Sequence, residues 1–555
     1  MPLRGEGTFA SLNRTLPLCG EGTFAPLNRT LPLRGEGISL RLIVLCHFVA
    51  KVLTLGKTQI NLVFLSLNRT FVPMISDEFS FQLWNNFGFT PTAEQRGAAE
   101  EFCRFLFDRN DNAVMILRGA AGTGKTTLAG AIVKTTVQML RASNDHKPVV
   151  LLAPTGRAAK VFSQHAGMPA YTIHRHIYRQ KTFNGEMTAF TLNVNMHHDT
   201  LFVVDEASMI SNGQQMAFSG QQPLFGTGQL LDDLMQYVYN GRNCRLLLIG
   251  DHAQLPPVGE ETSPALSRTV LEGYGMKVYY SEMNEVMRQA LESGVLTNAT
   301  YIRQLLPGIK PELTFDGFND IKVLPGNELI EELNSSYARV GIDDTIVVTR
   351  SNKRANIYNN GIRNSILDRQ EVLSTGDMLM VVKNNYYWTE KEVSSDEDDR
   401  IPPFIANGDR AQVLRVRNVH QMYGFTFADV WVRFPDYDDY EMQVVALLDT
   451  LSSEAPALTR EQQQQLFEGV MEDYADIPHK KDRLKKVRED KYYNALQVKY
   501  AYAVTCHKAQ GGQWAHVYVD QGYITDDMLT VDYNHWLYTA FTRATEKLFL
   551  VNWKQ

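Results

Sequence analysis

A glycine-rich segment, residues 119–126, constrains the fold of this 555-residue chain more than any other stretch. It reads Gly-Ala-Ala-Gly-Thr-Gly-Lys-Thr and fits the phosphate-binding pattern G-x-x-x-x-G-K-[ST]. The glycines allow backbone N–H groups to turn toward a phosphate, because no Cβ stands in the way. In such a loop the lysine, here Lys125, reaches the β- and γ-phosphates, and the hydroxyl of Thr126 ligates Mg²⁺.

The flanks of the loop support this interpretation. Residues 113–117 form a short apolar run typical of a buried strand, and residues 126–134 have a helical pattern. Strand, glycine loop and helix in this order place a helix N-terminus on a phosphate. Gln95, upstream of the loop, offers an adenine edge both a donor and an acceptor. The predicted nucleotide-binding residues are Gln95, Gly119, Ala120, Ala121, Gly122, Thr123, Gly124, Lys125, Thr126 and Thr127.

Polar residues also follow several later strands. Because ligands of open α/β folds bind where parallel strands end, we expect one group of these residues to bind a phosphodiester backbone. That group is Pro154, Thr155, Arg157, Thr172 and His174; a capping or core histidine is the alternative for His174. Asp205 and Glu206 directly follow the apolar run 201–204. Asp205 is suited to hold Mg²⁺ through water, and Glu206 is suited to polarise the attacking water. Gln254, fixed by two following prolines, is suited to sense a γ-phosphate.

The length, cysteine content and net charge limit the class of protein. The length suggests three or four domains. Five cysteines are scattered without a C-x-x-C pair, which predicts a reducing compartment such as the cytoplasm and argues against a zinc site. The net charge of −7 does not favour nucleic acid as a partner, but it does not exclude it, because binding depends on a local groove.

The first 73 residues differ from the rest. A segment of period 15 occurs at residues 2–15, recurs at 17–30 and begins again at 32. No solenoid has this period, and there are too few copies to bury a core. We therefore predict a disordered or non-native extension, with Met74 as the native start; a membrane anchor is the alternative. Mass spectrometry of the natural N-terminus tests this, since abundant peptides from residues 1–60 would contradict it.

Beyond these features, a series of segments resembles the ordered motifs of superfamily 1 helicases. The segments are residues 94–95, 119–126, 153–159, 172–175, 205–208, 250–257, 286–289, 502–511 and 536–544. The sequences Thr-Ile-His-Arg at 172–175 and His-Lys-Ala-Gln-Gly at 507–511 are similar to the 5′→3′ branch that includes RecD and Dda, and the Pif family shares several of these motifs.

This resemblance implies roles for residues in the C-terminal half. Arg288 and Arg543 are expected to reach the γ-phosphate as arginine fingers, in addition to the catalytic residues Lys125, Asp205, Glu206 and Gln254. Mg²⁺ is expected at Thr126 and Asp205. Thr505, His507 and Lys508 are expected to bind DNA opposite the residues of the first domain.

The implied fold is α/β, with two RecA-like P-loop NTPase domains, a β-hairpin inserted in the first and an SH3-like β-barrel in the second. We predict the first domain at 74–285, with the hairpin at about 178–200. The second domain is predicted at 286–370 and 500–555. The barrel, four short strands between about 375 and 448, and a charged helical insertion occupy 371–499.

The implied function is an ATP-dependent DNA helicase that moves 5′→3′ on single-stranded DNA and serves repair, recombination or replication. Its predicted partners are single strands and single-strand/duplex junctions, with no membrane, and we expect a monomeric motor with possible accessory proteins. The hairpin is the candidate strand-separating pin, with Phe183 or Phe190 against the last base pair. Two alternatives stay open: a translocase that displaces proteins without separating strands, and the motor subunit of a nuclease complex.

Overall fold

The computed structural model describes residues 77–140, 149–183, 186–213, 226–286, 292–390 and 404–553, and every structural statement below refers to these residues. The repeats at 1–73 and Arg288 lie outside them, so the predictions for both stay predictions. Among the helices that fall within the described ranges, none combines the length and apolar character that a membrane span requires.

The N-terminal region is built on a six-stranded parallel sheet with the order β3-β2-β6-β7-β1-β8. A helix over residues 77–87 precedes it. The elements that follow are α1 (Ala93–Leu106), β1 (Ala113–Gly119), α2 (Lys125–Leu140), β2 (Val149–Ala153), α3 (Gly156–Ala166), β3 (Ala170–Thr172), α4 (Ile173–Ile177), β4 (Tyr178–Phe183), β5 (Glu186–Leu192), β6 (Leu201–Val204), α5 (Leu230–Tyr239), β7 (Arg245–Gly250), α6 (Arg268–Gly273) and β8 (Lys277–Met283).

Both faces of this sheet are buried, which explains why its central strands are continuous apolar runs. Alternate residues of β1 point to opposite faces, as the period of a strand requires. Met115 and Leu117 pack in a cluster with Phe102 of α1, whereas Val114 and Ile116 pack in a second cluster on the other face. The phosphate-binding loop directly follows β1. Because β1 is packed on both faces, the start of the loop is held in place.

A hairpin lies between α4 and β6 in the chain. Its strands β4 and β5 pair antiparallel from Tyr178 with Leu192 to Phe183 with Glu186. They form a two-stranded sheet separate from the main sheet. The predicted hairpin insertion is confirmed.

The second RecA-like domain is a five-stranded parallel sheet with the order β16-β10-β17-β18-β9. Its first part contains α7 (Gly294–Gln304), β9 (Ile321–Leu324), α8 (Leu329–Arg339), β10 (Thr345–Thr349) and α9 (Asn352–Ser365). The barrel and helical insertion follow as β11 (Met378–Val381), α10 (Tyr387–Glu390), β12 (Arg410–Met422), β13 (Phe425–Phe434), β14 (Tyr440–Leu447), α11 (Asp449–Ser452), α12 (Arg460–Asp473), α13 (Lys480–Arg488) and β15 (Leu496–Tyr500). The chain then completes the sheet with β16 (Ala503–Thr505), α14 (Cys506–Ala509), β17 (Trp514–Asp520), α15 (Val531–Phe541) and β18 (Ala544–Val551).

Strands β11 to β15 form a closed barrel, which confirms the predicted barrel insertion. The sequence pattern indicated four of its strands. The fifth, β15, follows the charged helices and closes the barrel, because it pairs antiparallel with β11 and parallel with β14. Only a few residues separate β15 from β16 of the sheet, so barrel and motor domain are joined directly.

Asp377 anchors the entrance to the barrel. Its buried carboxylate accepts hydrogen bonds from Arg363 Nε at 3.1 Å and from Arg369 Nη1 and Tyr502 Oη at 2.8 Å each. Arg363 lies on α9 and Tyr502 lies between β15 and β16. One carboxylate therefore ties both connections of the barrel to the second RecA-like domain.

Candidate active site

The phosphate-binding loop has the conformation that its glycines permit. Gly122 and Gly124 have φ angles of +75° and +79°, which residues with a Cβ rarely adopt. The hydroxyl of Thr123 donates to the carbonyl oxygen of Ala120 at 2.8 Å and closes the turn. Helix α2 begins at Lys125, so the loop leads directly into a helix N-terminus.

Lys125 folds over this loop. Its Nζ donates to the carbonyl oxygens of Gly119 and Ala120 at 2.5 and 2.8 Å. The same Nζ lies 3.9 Å from Oδ2 of Asp251, which follows β7. A Cβ at position 119 would lie 2.7 Å from Cγ of Lys125, so glycine is required there for the lysine to take this path.

Gln95 lies under the loop, but both ends of its amide bind protein groups. Its Oε1 accepts from the backbone N–H of Thr92 at 3.0 Å, as part of a capping box at the start of α1. Its Nε2 donates to the carbonyl oxygen of Thr123 at 2.9 Å. Adenine recognition by Gln95 stays a prediction. The observed contacts of this residue connect the start of α1 to the phosphate-binding loop.

Asp205 and Glu206 follow β6, beside the loop. Burial, together with the neighbouring carboxylate of Glu206, raises the pKa of Asp205 to about 7. Oδ1 of Asp205 accepts from the backbone N–H of Glu206 at 2.9 Å. Glu206 has a φ angle of +52°, a strained conformation for a residue with a side chain, and such strain clusters at functional sites.

These groups fit a magnesium ion. Asp205 is a buried carboxylate beside the carboxylate of Glu206, and Mg²⁺ prefers hard oxygen ligands such as this group and the hydroxyl of Thr126. Clusters of three or more acidic, histidine or cysteine ligands are not found in the described part of the chain.

The segment after β7 joins the two RecA-like domains. The backbone N–H of Leu255 donates to Oγ1 of Thr539 on α15 at 2.8 Å. The carbonyl oxygen of Leu255 accepts from Nε2 of Gln510 at 2.6 Å. The neighbouring Gln254 is buried, and its Oε1 has no hydrogen-bond partner in the described structure. A buried acceptor without a partner suits a group that binds a water beside the γ-phosphate.

Tyr538 makes a second connection between the domains. Its hydroxyl accepts from the backbone N–H of Ala121 in the phosphate-binding loop at 2.8 Å and donates to Oδ2 of Asp251 at 2.5 Å. Burial and the nearby Asp251 carboxylate raise the pKa of Tyr538 well above its ordinary value. Sequence reasoning did not select Asp251, Gln510, Tyr538 or Thr539, although all four lie inside the segments that carried the resemblance.

Arg543 follows α15 and is buried. Its guanidinium donates to the carbonyl oxygens of Thr539 and Gly512 at 3.0 and 3.2 Å and to the hydroxyl of Thr542 at 3.1 Å. All three acceptors belong to the second RecA-like domain. The role of Arg543 as an arginine finger stays a prediction, and it requires the side chain to leave these partners.

The predicted DNA-binding residues of the first domain lie at the ends of β2 and β3, as expected. Pro154 directly follows β2 and is half-buried. Thr155 is the N-cap of α3 and accepts from the backbone N–H of Ala158, while Thr172 is the N-cap of α4 and accepts from the backbone N–H of Arg175. Both hydroxyls thus organise the backbone here, and any contact of theirs with DNA stays a prediction.

Arg157 contacts protein on three sides. Its Nη2 donates to the carbonyl oxygen of Gln513 at 2.7 Å, and its guanidinium lies 5.3 Å from the ring centroid of Trp514. Its Nη1 lies 3.7 Å from the carboxylate of Asp436 in the barrel. The structure therefore uses Arg157 as a junction between the first domain, the second domain and the barrel.

The barrel also approaches His174. The ring of His174 lies 6.3 Å from that of Phe404 and 5.6 Å from that of Tyr178. Burial lowers the pKa of His174 to about 4, so the imidazole is neutral at physiological pH. A capping or core histidine stays the alternative for this residue, and its contact with DNA stays a prediction.

The second domain offers its polar groups around β16. Thr505 ends this strand, and its side chain makes no capping hydrogen bond. Part of His507 is exposed to solvent, while partial desolvation by the surrounding protein lowers the pKa of its imidazole below the ordinary value. Nζ of Lys508 is buried without a hydrogen-bond partner in the described structure, beside a cavity that Thr505, Asn352 and Lys499 also line.

Comparison with known families agrees with this architecture. Residues 106–260 match the family described as "AAA domain", and residues 500–551 match the "UvrD-like helicase C-terminal domain". The first match covers the phosphate-binding loop and the Asp205 and Gln254 strands; the second covers Lys508 and Tyr538. The chain therefore matches an AAA domain followed by a UvrD-like helicase C-terminal domain, and this order supports the predicted resemblance to superfamily 1 helicases.

Individual proteins resemble this chain at low identity. An uncharacterised protein of Acanthamoeba polyphaga mimivirus is 22% identical over 541 residues, 82% of this chain and 98% of that protein. The ATP-dependent RecD2 DNA helicase of Deinococcus radiodurans is 27% identical over 169 residues, 30% of this chain and 19% of that protein. The structure of a Bacteroides Pif1 helicase with ADP-AlF3 and ssDNA is 13% identical, with a TM-score of 0.40, over 84% of this chain and 93% of that chain. A structural likeness at this level supports no argument about function.

Proposed function

We propose that this protein is a DNA helicase that uses ATP and Mg²⁺ to move 5′→3′ along single-stranded DNA and to separate the duplex ahead of it. The observation that supports the DNA part is the buried amine of Lys508, which has no acceptor among the described residues. A buried ammonium group without a partner is costly, and a phosphate oxygen of a DNA strand would supply the missing acceptor.

The ATP part rests on the groups around the phosphate-binding loop. Lys125 is positioned to leave its loop carbonyls for the β- and γ-phosphates, and Thr126 and Asp205 would hold Mg²⁺, which neutralises phosphate charge. Glu206 would orient the attacking water, and the free acceptor of Gln254 would bind it. Arg288 and Arg543 would approach the γ-phosphate from the second domain when the cleft closes.

Movement follows from the connections between the two RecA-like domains. Leu255 and Ala121 of the first domain bond directly to Thr539 and Tyr538 of the second. A change at the nucleotide can therefore shift one sheet against the other. A strand held on Thr505, His507 and Lys508, and on Pro154, Thr155, Arg157, Thr172 and His174 of the first domain, would then be drawn along the protein.

Directional unwinding tests this function. Duplexes with a 5′ or a 3′ single-stranded tail are incubated with the protein, ATP and Mg²⁺, and the released strand is measured. We expect release from the 5′-tailed substrate only. Preference for the 3′ tail would contradict the polarity, and ATPase stimulated by single strands without any release would support the protein-displacing translocase instead.

The hairpin of β4 and β5 provides a second test. It is the proposed pin, because it projects from the first domain beside α4, where the strand is expected to lie. Replacement of residues 179–191 by a short glycine linker should abolish strand release and leave DNA-stimulated ATPase. Loss of both activities in a folded variant would contradict the pin. Unwinding that persists would also contradict it.

A further inference from the structure

The hydroxyl of Tyr538 connects the two RecA-like domains. It belongs to α15 of the second domain, yet both of its hydrogen bonds go to the first domain, to Ala121 of the phosphate-binding loop and to Asp251 after β7. The side chain is 1% exposed, so water does not substitute for these bonds. Displacement of the loop therefore pulls directly on α15.

Asp251 links this hydroxyl to Lys125. Oδ1 of Asp251 accepts from the backbone N–H of Ala253 at 3.0 Å, while Oδ2 faces both Tyr538 and, at 3.9 Å, Nζ of Lys125. A buried carboxylate depends strongly on every partner it has. When Lys125 moves to a bound phosphate, Asp251 loses its nearby positive charge and must rely more on the Tyr538 hydroxyl.

Helix α15 connects Tyr538 to Arg543, the predicted arginine finger. Arg543 lies two residues beyond its end and is bonded to the carbonyl oxygen of Thr539 on the helix. Thr539 in turn bonds Leu255, beside Gln254. A movement of α15 thus reaches both Arg543 and the segment proposed to position water at the γ-phosphate.

We propose that the Tyr538 hydroxyl is a positioning group that transmits the state of the phosphate-binding loop to α15 and hence couples nucleotide binding to the second RecA-like domain. It touches the loop backbone and Asp251, and it has no chemical step of its own. The inference deepens the proposed function and rests on it for the reaction, whereas its first test requires nucleotide binding only.

The first test is hydrogen–deuterium exchange of peptides covering residues 531–543, with and without a saturating non-hydrolysable ATP analogue and Mg²⁺. In the unaltered protein, nucleotide should change exchange in these peptides. Tyr538→Phe keeps the ring and removes both hydroxyl bonds, so the response should be lost although nucleotide still binds. Tyr533→Phe is the matched control, because that hydroxyl lies on the same helix and donates to Gln521 at 2.8 Å, away from the loop.

The second test is ATPase with and without single-stranded DNA. The Tyr538 hydroxyl donates to a charged carboxylate, so the DNA-stimulated kcat of Tyr538→Phe should fall by about tenfold or more. The nucleotide Kd should change much less, and Tyr533→Phe should retain stimulation. A weaker Kd with unchanged kcat and a normal exchange response would overturn the proposal, because the hydroxyl would then only shape the loop.

A failed Tyr538→Phe preparation would not end the test. Asp251→Asn removes the charge that Tyr538 bonds, and it should weaken the same exchange response. A full response in that variant would overturn the proposal. If the unaltered protein shows the exchange response but no DNA-stimulated ATPase, the proposed helicase function fails while the coupling through Tyr538 stands.

Discussion

Leu255 and Thr539 lie in different RecA-like domains and share a hydrogen bond of 2.8 Å at the nucleotide cleft. The donor is a backbone N–H and the acceptor is a hydroxyl, and both residues are buried. Because Leu255 also accepts from Gln510, both backbone polar groups of this one residue bind the second domain. The segment after β7 is therefore as much a part of the domain interface as of the ATP site.

Thr539→Val should weaken this interface. The change preserves the shape of the side chain but leaves the buried N–H of Leu255 without its acceptor, at a cost of about 1–3 kcal/mol. We expect a lower urea midpoint and reduced DNA-stimulated ATPase. Thr300→Val is the control, since that hydroxyl donates to the carbonyl oxygen of Leu296 within its own helix. An equal effect of the two changes would show that the interface bond has no special importance.

Lys125→Ala should abolish hydrolysis and spare DNA binding. In the proposed reaction this amine stabilises the transferring phosphoryl group, and loss of such a group lowers kcat by roughly 10²–10³ or more. Steady-state ATPase and fluorescence anisotropy with a labelled single strand measure the two properties. Lys134→Ala, at an exposed position of the same helix, should retain both. Equal loss of DNA binding and ATPase would indicate a folding defect.

Asp377→Asn should destabilise the attachment of the barrel. The carboxylate is fully buried and neutralises Arg363 and Arg369, so removal of its charge leaves two buried cations unpaired. Breaking a buried pair in this way costs roughly 3–5 kcal/mol. The variant should unfold at a clearly lower temperature in scanning calorimetry, while Asp316→Asn on the surface should not. Unchanged unfolding of both variants would contradict the anchoring role.

The sequence was most informative where chemistry and local pattern coincide. Residues 119–126 predict a phosphate-binding loop directly, because the pattern fixes both the glycines and the lysine. The apolar runs before Asp205 and Gln254 correctly predicted buried strands. The contacts across the cleft were not predictable, because Tyr538 and Thr539 read as ordinary core residues of a helix until the partner sheet is in place. Strand β15 was missed for a similar reason, since a long helical insertion separates it from the barrel it closes.

Arg157 and His174 illustrate the same limit at the expected DNA edge. Strand ends located them correctly, but their surroundings depend on the barrel, which enters much later in the chain. Asp436 and Phe404 of that insertion contact them. Local pattern contains no information about this long-range packing, so it could not predict these protein contacts, and contact of either residue with DNA stays a prediction.

Lys508 should make DNA binding depend on pH in an alkaline range. Burial lowers the pKa of its amine from the ordinary 10.5 to about 8. Below that pH the amine is charged and binds phosphate, so affinity for a single strand should fall as pH rises from 7 to 9. In the absence of DNA, the stability of the fold should depend on pH in the opposite direction. The amine holds its proton more tightly in the unfolded chain than in the folded protein, so the free energy of unfolding should increase between pH 8 and 10.5.

Two substitutions separate this effect from general alkaline weakening. Lys508→Arg keeps a charge at every pH, so it should remove the loss of affinity between pH 7 and 9. Lys508→Gln should bind weakly throughout and lower the slope of log affinity against log salt by about 1, the value for one phosphate contact. Lys322→Gln is the control, because this lysine lies on β9 and pairs with Glu332 of α8 at 2.7 Å. An unaltered pH profile in Lys508→Arg, measured by anisotropy, would show that Lys508 does not bind the DNA backbone.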